Sequence, residues 1–452
     1  MTNEICANNK AIGNHVAVIV LAAGRGTRMK SKIPKVLHKV CGQPILYRVL
    51  KSAGEVVGKR TDSSDGEIVI VLGHEFEDLK FASMDFSKSL NLRLNIAKQG
   101  EIPGTGSATI AAFGALSSSK TKTVVVISAD TPLITSKTVN ELVMAHISSR
   151  NLATVLTATI ADPTGYGRII RDQQGGVQEI IEEKDANEIE QQVSEVNSSI
   201  YVFEYKFLEK YLHKLDVNNA QAEKYLTQIV ELGVKDGLQI GASRIEELGG
   251  DVYEIEGVND REQLSKLDDI RRAQIIQEHQ HSGVTIVDPN STRIEEDVEI
   301  EEDVEILPGC IILSGNKILS GAQIGPYAYL RQGNVVSQNA KVGAFVELKN
   351  AKIGNNSKVP HLSYVGDATI GDGTNIGAGS IFANYDGKNK HHTTIGNSVK
   401  IGSKTVLVAP VEVGDNAYTG AGTILRTDVP ESALAYSENS ITIVEEWNKT
   451  SS

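Results

Sequence analysis

Apolar positions follow two different rhythms along this chain of 452 residues. Between His15 and about Asn259, short aliphatic runs alternate with amphipathic stretches. The runs Val16–Leu21, Ile68–Leu72, Leu92–Ala97, Val124–Ile127 and Thr154–Ile160 have the Val and Ile content of strands buried on both faces of a parallel sheet. Helical spacing is expected over Val36–Val57, Gly106–Leu116 and Lys137–Ser149. Strand and helix in turn imply a doubly wound α/β domain, whose ligands bind beyond the C-terminal ends of the strands.

From Ile294 the rhythm changes. Ile294, Ile300, Ile306, Ile312, Ile318, Ile324, Leu330, Val336, Val342 and Leu348 follow one another at an unbroken spacing of six. After one-residue slips the period resumes at Ile353, Val359 and Val365, then at Ile370, Ile376 and Phe382. Beyond an interruption it runs again through Ile395, Ile401, Leu407 and Val413. A helix cannot keep this period on one face, because six steps of about 100° turn a side chain about 240° away from its start. Short strands joined by tight turns can, with three hexads to a triangular coil, which is the hexapeptide signature of a parallel β-helix. Coils of roughly 18 residues give about eight coils, each rising about 4.8 Å.

Between the halves, Arg261–Glu278 is charged and amphipathic and reads as a linking helix. His279 and His281, two apart, do not share a helix face as a ligand pair would. The expected division is therefore a flexible extension over 1–14, an α/β domain over 15–259, a linker helix over 260–282, and a β-helix with its C-terminal tail over 283–452.

Charge and cysteine content narrow the function. Lys and Arg number 45 against 57 Asp and Glu, a net charge of −12, which argues against nucleic acid as a partner. Cys6, Cys41 and Cys310 form no CxxC pair, so neither a disulfide framework nor a zinc site is indicated. No apolar run nears the roughly 18 residues of a membrane helix, and the first fifteen residues lack a signal-peptide core. A cytoplasmic protein is expected.

Candidate chemistry in the first half clusters after strands. The first strand leads into LAAGRGTRM, Leu21–Met29, followed by Pro34-Lys35. Such a Gly-rich turn either holds phosphates on backbone N–H groups or is an ordinary tight turn. It lacks the third Gly of a dinucleotide fingerprint and the GK[ST] of a P-loop. Asp130 leaves the fourth strand in Ser128-Ala129-Asp130-Thr131-Pro132-Leu133, where it could cap the turn or hold Mg2+ beside substrate phosphates. A second Gly cluster, QGEIPGTGS over Gln99–Ser107, also follows a strand.

LAAGRGTRM with Pro34-Lys35, then QxxxxGTG, then AD-x-PL resembles the sugar-phosphate nucleotidyltransferases, whose domain is Rossmann-like. Asp162–Arg168 (DPTGYGR), Glu182–Asp185 (EEKD), Val196-Asn197, Asn218–Gln221 with Tyr225-Leu226-Thr227, and Glu256–Asn259 (EGVN) narrow the likeness. With the hexapeptide helix, the chain from Val16 to about Ala435 resembles the bifunctional N-acetylglucosamine-1-phosphate uridyltransferase/glucosamine-1-phosphate N-acetyltransferase family. That resemblance implies UTP held by Leu21, Ala22 and Gly24, with Arg28 and Lys35 neutralising its phosphates as catalytic cations. Gln99, Gly104 and Thr105 would read the uracil edge. Asp130 and Asn259 would bind Mg2+, and Gly167, Glu182, Asn197 and Thr227 would line the sugar-phosphate pocket. The chemistry is attack of a sugar phosphate on the α-phosphorus of UTP, which needs alignment and charge stabilisation and no protein nucleophile.

In the second half, ANYDGKNKHHTT over Ala383–Thr394 leaves the coil, close after FVELK (Phe345–Lys349) and HLSYVGD (His361–Asp367). With 18 residues per coil His361 should stack on Gly379, near Asn384 and Tyr385. A lone His on such a helix is usually a surface residue; these neighbours raise its interest. The resemblance makes His361 the general base for the 2-amino group of glucosamine-1-phosphate. It assigns Arg331, Lys349, Tyr364 and Asn375 to the sugar phosphate, with Asn384 also orienting the sugar. Acetyl-CoA falls to Ala378, Asn384, Tyr385, Ser403 and Ala421, and a backbone N–H near Gly377–Gly379, Ser403 or Ala421 would meet the oxyanion. It also implies a left-handed coil, a homotrimer, and a bacterial cytosol supplying UDP-N-acetylglucosamine for peptidoglycan and lipopolysaccharide.

Some positions depart from the family pattern. Ser128-Ala129 stands where Gly more often precedes the metal Asp, Ser199 where Gly often follows Asn197, and Thr227-Gln228 where Thr-Asp is common. Glu438 lies at or near a position where relatives carry an Arg for coenzyme A phosphates, a task that Lys390, Lys404 or Arg426 could take over. Two rival readings remain: a uridyltransferase whose β-helix only assembles oligomers, and a non-catalytic scaffold.

Overall fold

A computed structural model describes residues 15–24, 26–58, 66–73, 76–117, 120–438, 441–445 and 447. The extension over 1–14 and Cys6 lie outside the described residues. The chain divides into two compact units between Asp269 and Ile270, inside the linking helix Arg261–His281.

The first unit is built on one mixed sheet. Its strands are β1 (Val16–Ala22), β2 (Glu67–Leu72), β3 (Leu94–Lys98), β4 (Thr123–Ser128), β5 (Ala153–Thr159), β6 (Arg168–Arg171), β7 (Val177–Ile181), β8 (Glu195–Glu204) and β9 (Ile240–Arg244). They lie in the order β9-β5-β8-β4-β1-β2-β3, with the β6–β7 hairpin joined to β8. β1 runs parallel to β2 and β4, as the apolar runs predicted. β8 is antiparallel to both β4 and β5, so the sheet is not wholly parallel. Hydrophobic reading missed this strand because Asn197-Ser198-Ser199 interrupts it. The register shifts there, and Ser199 sits at φ +61°, a conformation that Gly adopts without strain.

Residues of β1 explain the unbroken aliphatic run. Val18 and Val20 pack with the helices α1 (Ile45–Val57) and α4 (Ser136–Ser148), while Ile19 faces α3 (Thr105–Phe113) and α5 (Tyr205–Leu212). The unit also contains α2 (Phe76–Ser89) and α6 (Gln228–Lys235), and α7 is Arg261–His281. In α1 the buried stripe is Leu46, Val49, Leu50, Ala53 and Val57, the spacing of one helix face. The helix expected from Val36 starts only at Ile45. Lys35–Leu37 is a 3-10 turn and Lys39–Val40 pairs with Gln43–Pro44 in a small hairpin. Its turn residues Cys41 and Gly42 both have positive φ, and Pro44 stands before the first helical residue.

The second unit is a left-handed parallel β-helix. Nine of the ten residues in unbroken register are buried; Ile300 is half-buried. Stacked partners are 18 apart at first, as Ile306 with Ile324 and Val342. They become 17 apart where the period slips: Val342 stacks on Val359, Leu348 on Val365 and Ile353 on Ile370. The missing residue is lost at the corners after Lys349 and Gly366, where Asn350 and Asp367 take positive φ. The stacking of His361 on Gly379, expected from 18-residue coils, is therefore off by one. His361 pairs with Ala344, and the Gly379 N–H reaches the His361 carbonyl at 3.2 Å, which leaves Ala378 above His361.

Candidate active sites

At the C-terminal ends of β1, β3 and β4 the first unit opens a cleft of about 870 Å3. All seven residues expected to hold the nucleotide line it: Leu21, Ala22, Gly24, Lys35, Gln99, Gly104 and Thr105. Local backbone needs explain the glycines. Gly104 has φ +111°, and a Cβ there would collide with the Lys224 carbonyl, to which Gly106 N–H also donates at 2.8 Å. The Gln99 amide donates to the Gly104 carbonyl at 3.0 Å, which orients its Oε1 as a free acceptor, while Thr105 Oγ1 accepts from the Leu226 N–H.

Lys35, Ser128 and Asp130 line the cleft, and Asn259, which is not among the lining residues, also reaches Lys35. Lys35 Nζ lies 2.5 Å from Asp130 Oδ2 and 3.4 Å from Asn259 Oδ1, and Ser128 Oγ donates to Asp130 Oδ1 at 2.6 Å. Burial would raise the Asp130 carboxyl, but Lys35 and the Ser128 hydroxyl hold it below the usual carboxylate range. A carboxylate and an amide oxygen already converging on one cation form a hard-oxygen set of the kind Mg2+ takes together with substrate phosphates. Among the described residues no cluster of three or more His, Cys, Asp or Glu side chains offers a metal site. Arg28 is exposed on the turn Thr27–Met29 and is not among the cleft-lining residues.

The sugar-phosphate candidates also come together. Thr227 Oγ1 donates to Glu182 Oε1 at 3.1 Å, Asn197 N–H donates to the Gly167 carbonyl at 2.9 Å, and a Cβ on Gly167 would stand 3.5 Å from Glu182 Oε2. Burial raises the Glu182 carboxyl, with Asp185 and Glu223 adding to it. Ser199, the departure noted above, donates its N–H to Asn197 Oδ1 at 3.0 Å, which offsets its strained backbone. Two residues escaped sequence reasoning. The buried Tyr201 hydroxyl accepts from the Asn197 amide at 2.7 Å. Tyr166, inside the quoted DPTGYGR, is pushed up to about 12 by burial, then by Glu256 and Asp130.

In the β-helix the shortened corners build a stacked column. Asn350 Nδ2 donates to Asp367 Oδ1 at 2.8 Å and Asn384 Nδ2 to Asp367 Oδ2 at 2.5 Å. Lys349 Nζ is 3.8 Å from the same carboxylate. The nearby Lys390 draws Lys349 below the usual lysine range, and desolvation works in the same direction. Arg331 pairs with Glu347 at 3.4 Å. A Cβ on Gly366 would collide with the Tyr364 hydroxyl and the Asn384 amide, so those groups meet over that glycine. Asn384 thus stacks on Asp367, a residue the sequence reading had left without a role. Tyr385 is exposed and its hydroxyl donates to the Gly387 carbonyl.

A second column follows the neighbouring edge. Successive bonds from Leu362 N–H to Ala344 O, Gly379 N–H to His361 O, Lys404 N–H to Ala378 O and Gly422 N–H to Ser403 O set His361, Ala378, Ser403 and Ala421 one above another. The N–H groups of Ala378, Ser403 and Ala421 donate to no described residue, whereas those of Gly377 and Gly379 are engaged. Of the oxyanion donors expected from sequence, Gly377 and Gly379 are therefore spent within the coil. His361 is exposed, and its imidazole makes no side-chain hydrogen bond among the described residues. Asn375 is exposed on the same face, paired beside Lys358 and Lys400. Glu438 is exposed; Lys404 directly follows Ser403 in the column.

Cys41 and Cys310 are buried and form no disulfide among the described residues, among which no helix is long and apolar enough to cross a membrane.

Known proteins agree with this division. A family model described as a MobA-like NTP transferase domain matches residues 18–186, and one described as bacterial transferase hexapeptide (six repeats) matches 350–384 and 392–427. The bifunctional protein GlmU of Mycolicibacterium vanbaalenii is 41% identical across 95% of this chain and 92% of its own length. Those of Thermobifida fusca and Bifidobacterium adolescentis are each 42% identical across 95% of this chain, covering 93% and 98% of their own lengths.

Proposed function

From the premise that this chain belongs to the GlmU family of bifunctional proteins, we infer how its residues divide the work. The chain is a bifunctional enzyme of UDP-N-acetylglucosamine synthesis, a nucleotidyltransferase in its first half and an acetyltransferase in its second. The reading of the first site is carried by the contacts of Lys35, a cleft-lining residue, with both Asp130 and Asn259, in a cleft lined by all the expected nucleotide residues.

In this reading the uracil edge lies against Gln99, Gly104 and Thr105, and the triphosphate runs over Gly24 toward Lys35. Asp130 and Asn259 would hold Mg2+, which would supply charge shielding for the phosphates. Lys35 neutralises the phosphate that leaves, with Arg28 as a second cation. Glu182, Asn197, Gly167 and Thr227 orient N-acetylglucosamine-1-phosphate so that its phosphate oxygen attacks the α-phosphorus and pyrophosphate departs.

On the β-helix, Arg331, Lys349 and Tyr364 hold glucosamine-1-phosphate, with Asn375 and Asn384 orienting the sugar. His361 takes a proton from its 2-amino group, the amine attacks the thioester carbon of acetyl-CoA, and coenzyme A leaves as a thiol. The free N–H groups of Ala378, Ser403 and Ala421 support a backbone role along the coenzyme, with Tyr385 beside it, and Lys404 is the cation best situated to replace the one that Glu438 lacks. A homotrimer completes the site. It is supported by an exposed apolar ladder at Tyr327, Phe345 and Leu362, all at positive φ, the two rings stacked 5.3 Å apart. We place the enzyme in the cytoplasm, in keeping with its sparse cysteines and the lack of a disulfide among the described residues.

The test is a pair of assays on the full chain: thiol release from acetyl-CoA with glucosamine-1-phosphate, and pyrophosphate release from UTP with N-acetylglucosamine-1-phosphate. Asp130→Ala should abolish the second and spare the first, and His361→Ala should do the reverse. Loss of both activities in either folded variant, or wild-type sedimentation at the 48.6 kDa of one chain, would sink the corresponding assignment.

A further inference from the structure

The segment that carries Lys35 is stapled to the segment that carries Asn259, and a buried histidine provides the middle staple. Lys35 and His38 share one 3-10 turn, closed by the His38 N–H to the Lys35 carbonyl at 3.2 Å. Across from it, Asn259 precedes helix α7, whose start is fixed by Asp260: its side chain accepts the Gln263 N–H at 2.9 Å, and Gln263 Oε1 accepts the Asn259 N–H at 2.7 Å. Four contacts among the described residues join the two segments, the Cys41 Sγ–H to the Asp268 carbonyl at 3.4 Å being one. Lys35 Nζ meets Asn259 Oδ1, Arg261 NH1 lies 3.3 Å from His38 Nδ1, and Cys41 N–H donates to Asp268 Oδ1 at 2.7 Å.

His38 is only 7% exposed. A guanidinium can only donate, so His38 Nδ1 must accept and the proton sits on Nε2. Among the described residues that Nε2 is buried with no partner at full hydrogen-bond geometry, although the Ile33 backbone lies close enough to favour its proton. The one directed side-chain contact of the ring is to Arg261. Burial, then Arg261, lowers the imidazole pKa against a smaller upward pull from the Ile33 backbone. What packing alone does not explain is the acceptor aimed at Arg261.

We propose that His38 is a positioning residue for the uridyltransferase site. By holding Arg261 through Nδ1, it sets Asn259 opposite Asp130 and so pre-forms the oxygen pair that takes the divalent cation. This rests on Asp130 and Asn259 being the cation ligands, and it adds to that reading a determinant two residues removed from the metal. The geometry also explains why the turn holding Lys35 and the start of α7 must be fixed together: a shift of either parts the two oxygens.

The test measures Mn2+ binding to the full-length protein by the loss of its free-ion resonance, without turnover, and the Mg2+ dependence of pyrophosphate release. Outer partners of metal ligands typically change affinity about 10–100-fold. His38→Ala should weaken Mn2+ binding about tenfold and raise the half-saturating Mg2+ similarly, with an unchanged thermal melt of the α/β unit as the control for its folding and unchanged acetyl transfer as the control for specificity. His38→Asn, whose side-chain oxygen can occupy the place of Nδ1, should restore most of the affinity. Arg261→Met cuts the same contact from the other side. It should reproduce the loss, and combining it with His38→Ala should add little. Wild-type Mn2+ affinity in both single variants, or a His38→Asn no better than Ala at equal thermal stability, would overturn the proposal. Mn2+ binding that survives Asp130→Ala would instead overturn the ligand assignment beneath it.

Discussion

Lys35 and Asn259 meet although 224 residues of chain separate them, whereas Asn350, Asp367 and Asn384 meet at intervals of 17. In the α/β unit a site is assembled at the loop ends of a sheet whose core spans both faces, so its geometry depends on the whole unit. In the β-helix each coil touches its neighbours, and stability is close to a sum of local interfaces. The two halves therefore respond differently to the same injury: damage to the first propagates to its site, and damage to the second stays within a coil or two.

The largest expected effects come from buried aromatics. Phe203 in β8 and Phe382 in the coil preceding Asn384 are both fully buried. Truncating either to Ala leaves a cavity costing about 3–5 kcal/mol. Phe203→Ala should lower the melting of the α/β unit and, near that midpoint, uridylyl transfer, with acetyl transfer intact. Phe382→Ala should raise amide exchange only in the coils around Phe382 and depress acetyl transfer alone. Exchange spreading evenly from Ile294 to Val413 would show that the β-helix is as cooperative as the sheet, and the contrast would fail.

A smaller effect separates the halves by pH. His146 of α4 is buried, with Nδ1 2.9 Å from Thr154 Oγ1, and burial pushes it down to about 4 from 6.5. Below pH 6.5 the unfolded chain binds a proton that the folded unit refuses. Stability is therefore complete above 6.5 and lost as pH falls toward 4, by at most about 3 kcal/mol. His38 acts in the same direction. In the β-helix unit the depressed imidazole, His279, is only half-buried. Calorimetric melts at pH 7 and 4.5 should show the α/β transition falling further. His146→Asn should flatten that dependence, and parallel slopes for variant and wild type would refute the role of His146.

The same contrast governs what the sequence made legible. The period of six, its two slips and its interruption read out the β-helix almost residue by residue, because each coil repeats the same local requirement. The slips turned out to mark the corners that carry Asn350 and Asp367, and taking every coil as 18 residues is what misplaced His361 by one. In the α/β unit the aliphatic runs gave β1, β2 and β4, yet β8 was invisible because the polar Asn197-Ser198-Ser199 breaks its pattern. Helix α1 was drawn too long because amphipathic spacing does not register the turn at Cys41-Gly42. His38 and Tyr201 could not be read at all. The partner of His38, Arg261, is settled by a contact across 223 residues, and that of Tyr201, Asn197, by the register shift within β8 that brings two residues four apart together.

The smallest predicted effect concerns a departure from the family pattern that the α/β unit has absorbed. Ser128 stands two residues before Asp130, the proposed metal ligand, and its hydroxyl donates to Oδ1 at 2.6 Å, leaving Oδ2 toward Lys35. A hydrogen bond to a charged group contributes about 1.5–3 kcal/mol. Part of that would return when the freed oxygen finds water in the open cleft, so Ser128→Ala should raise the half-saturating Mg2+ by about tenfold or less. The maximal rate should hardly change, because Lys35 and Asn259 keep their places. The matching departure in the second half, Glu438, has no such partner among the described residues, so Glu438→Arg should tighten acetyl-CoA binding where Ser128→Ala weakens that of Mg2+. If Ser128→Ala instead lowers the maximal rate at saturating Mg2+, its hydroxyl acts on the reacting phosphate and not through Asp130.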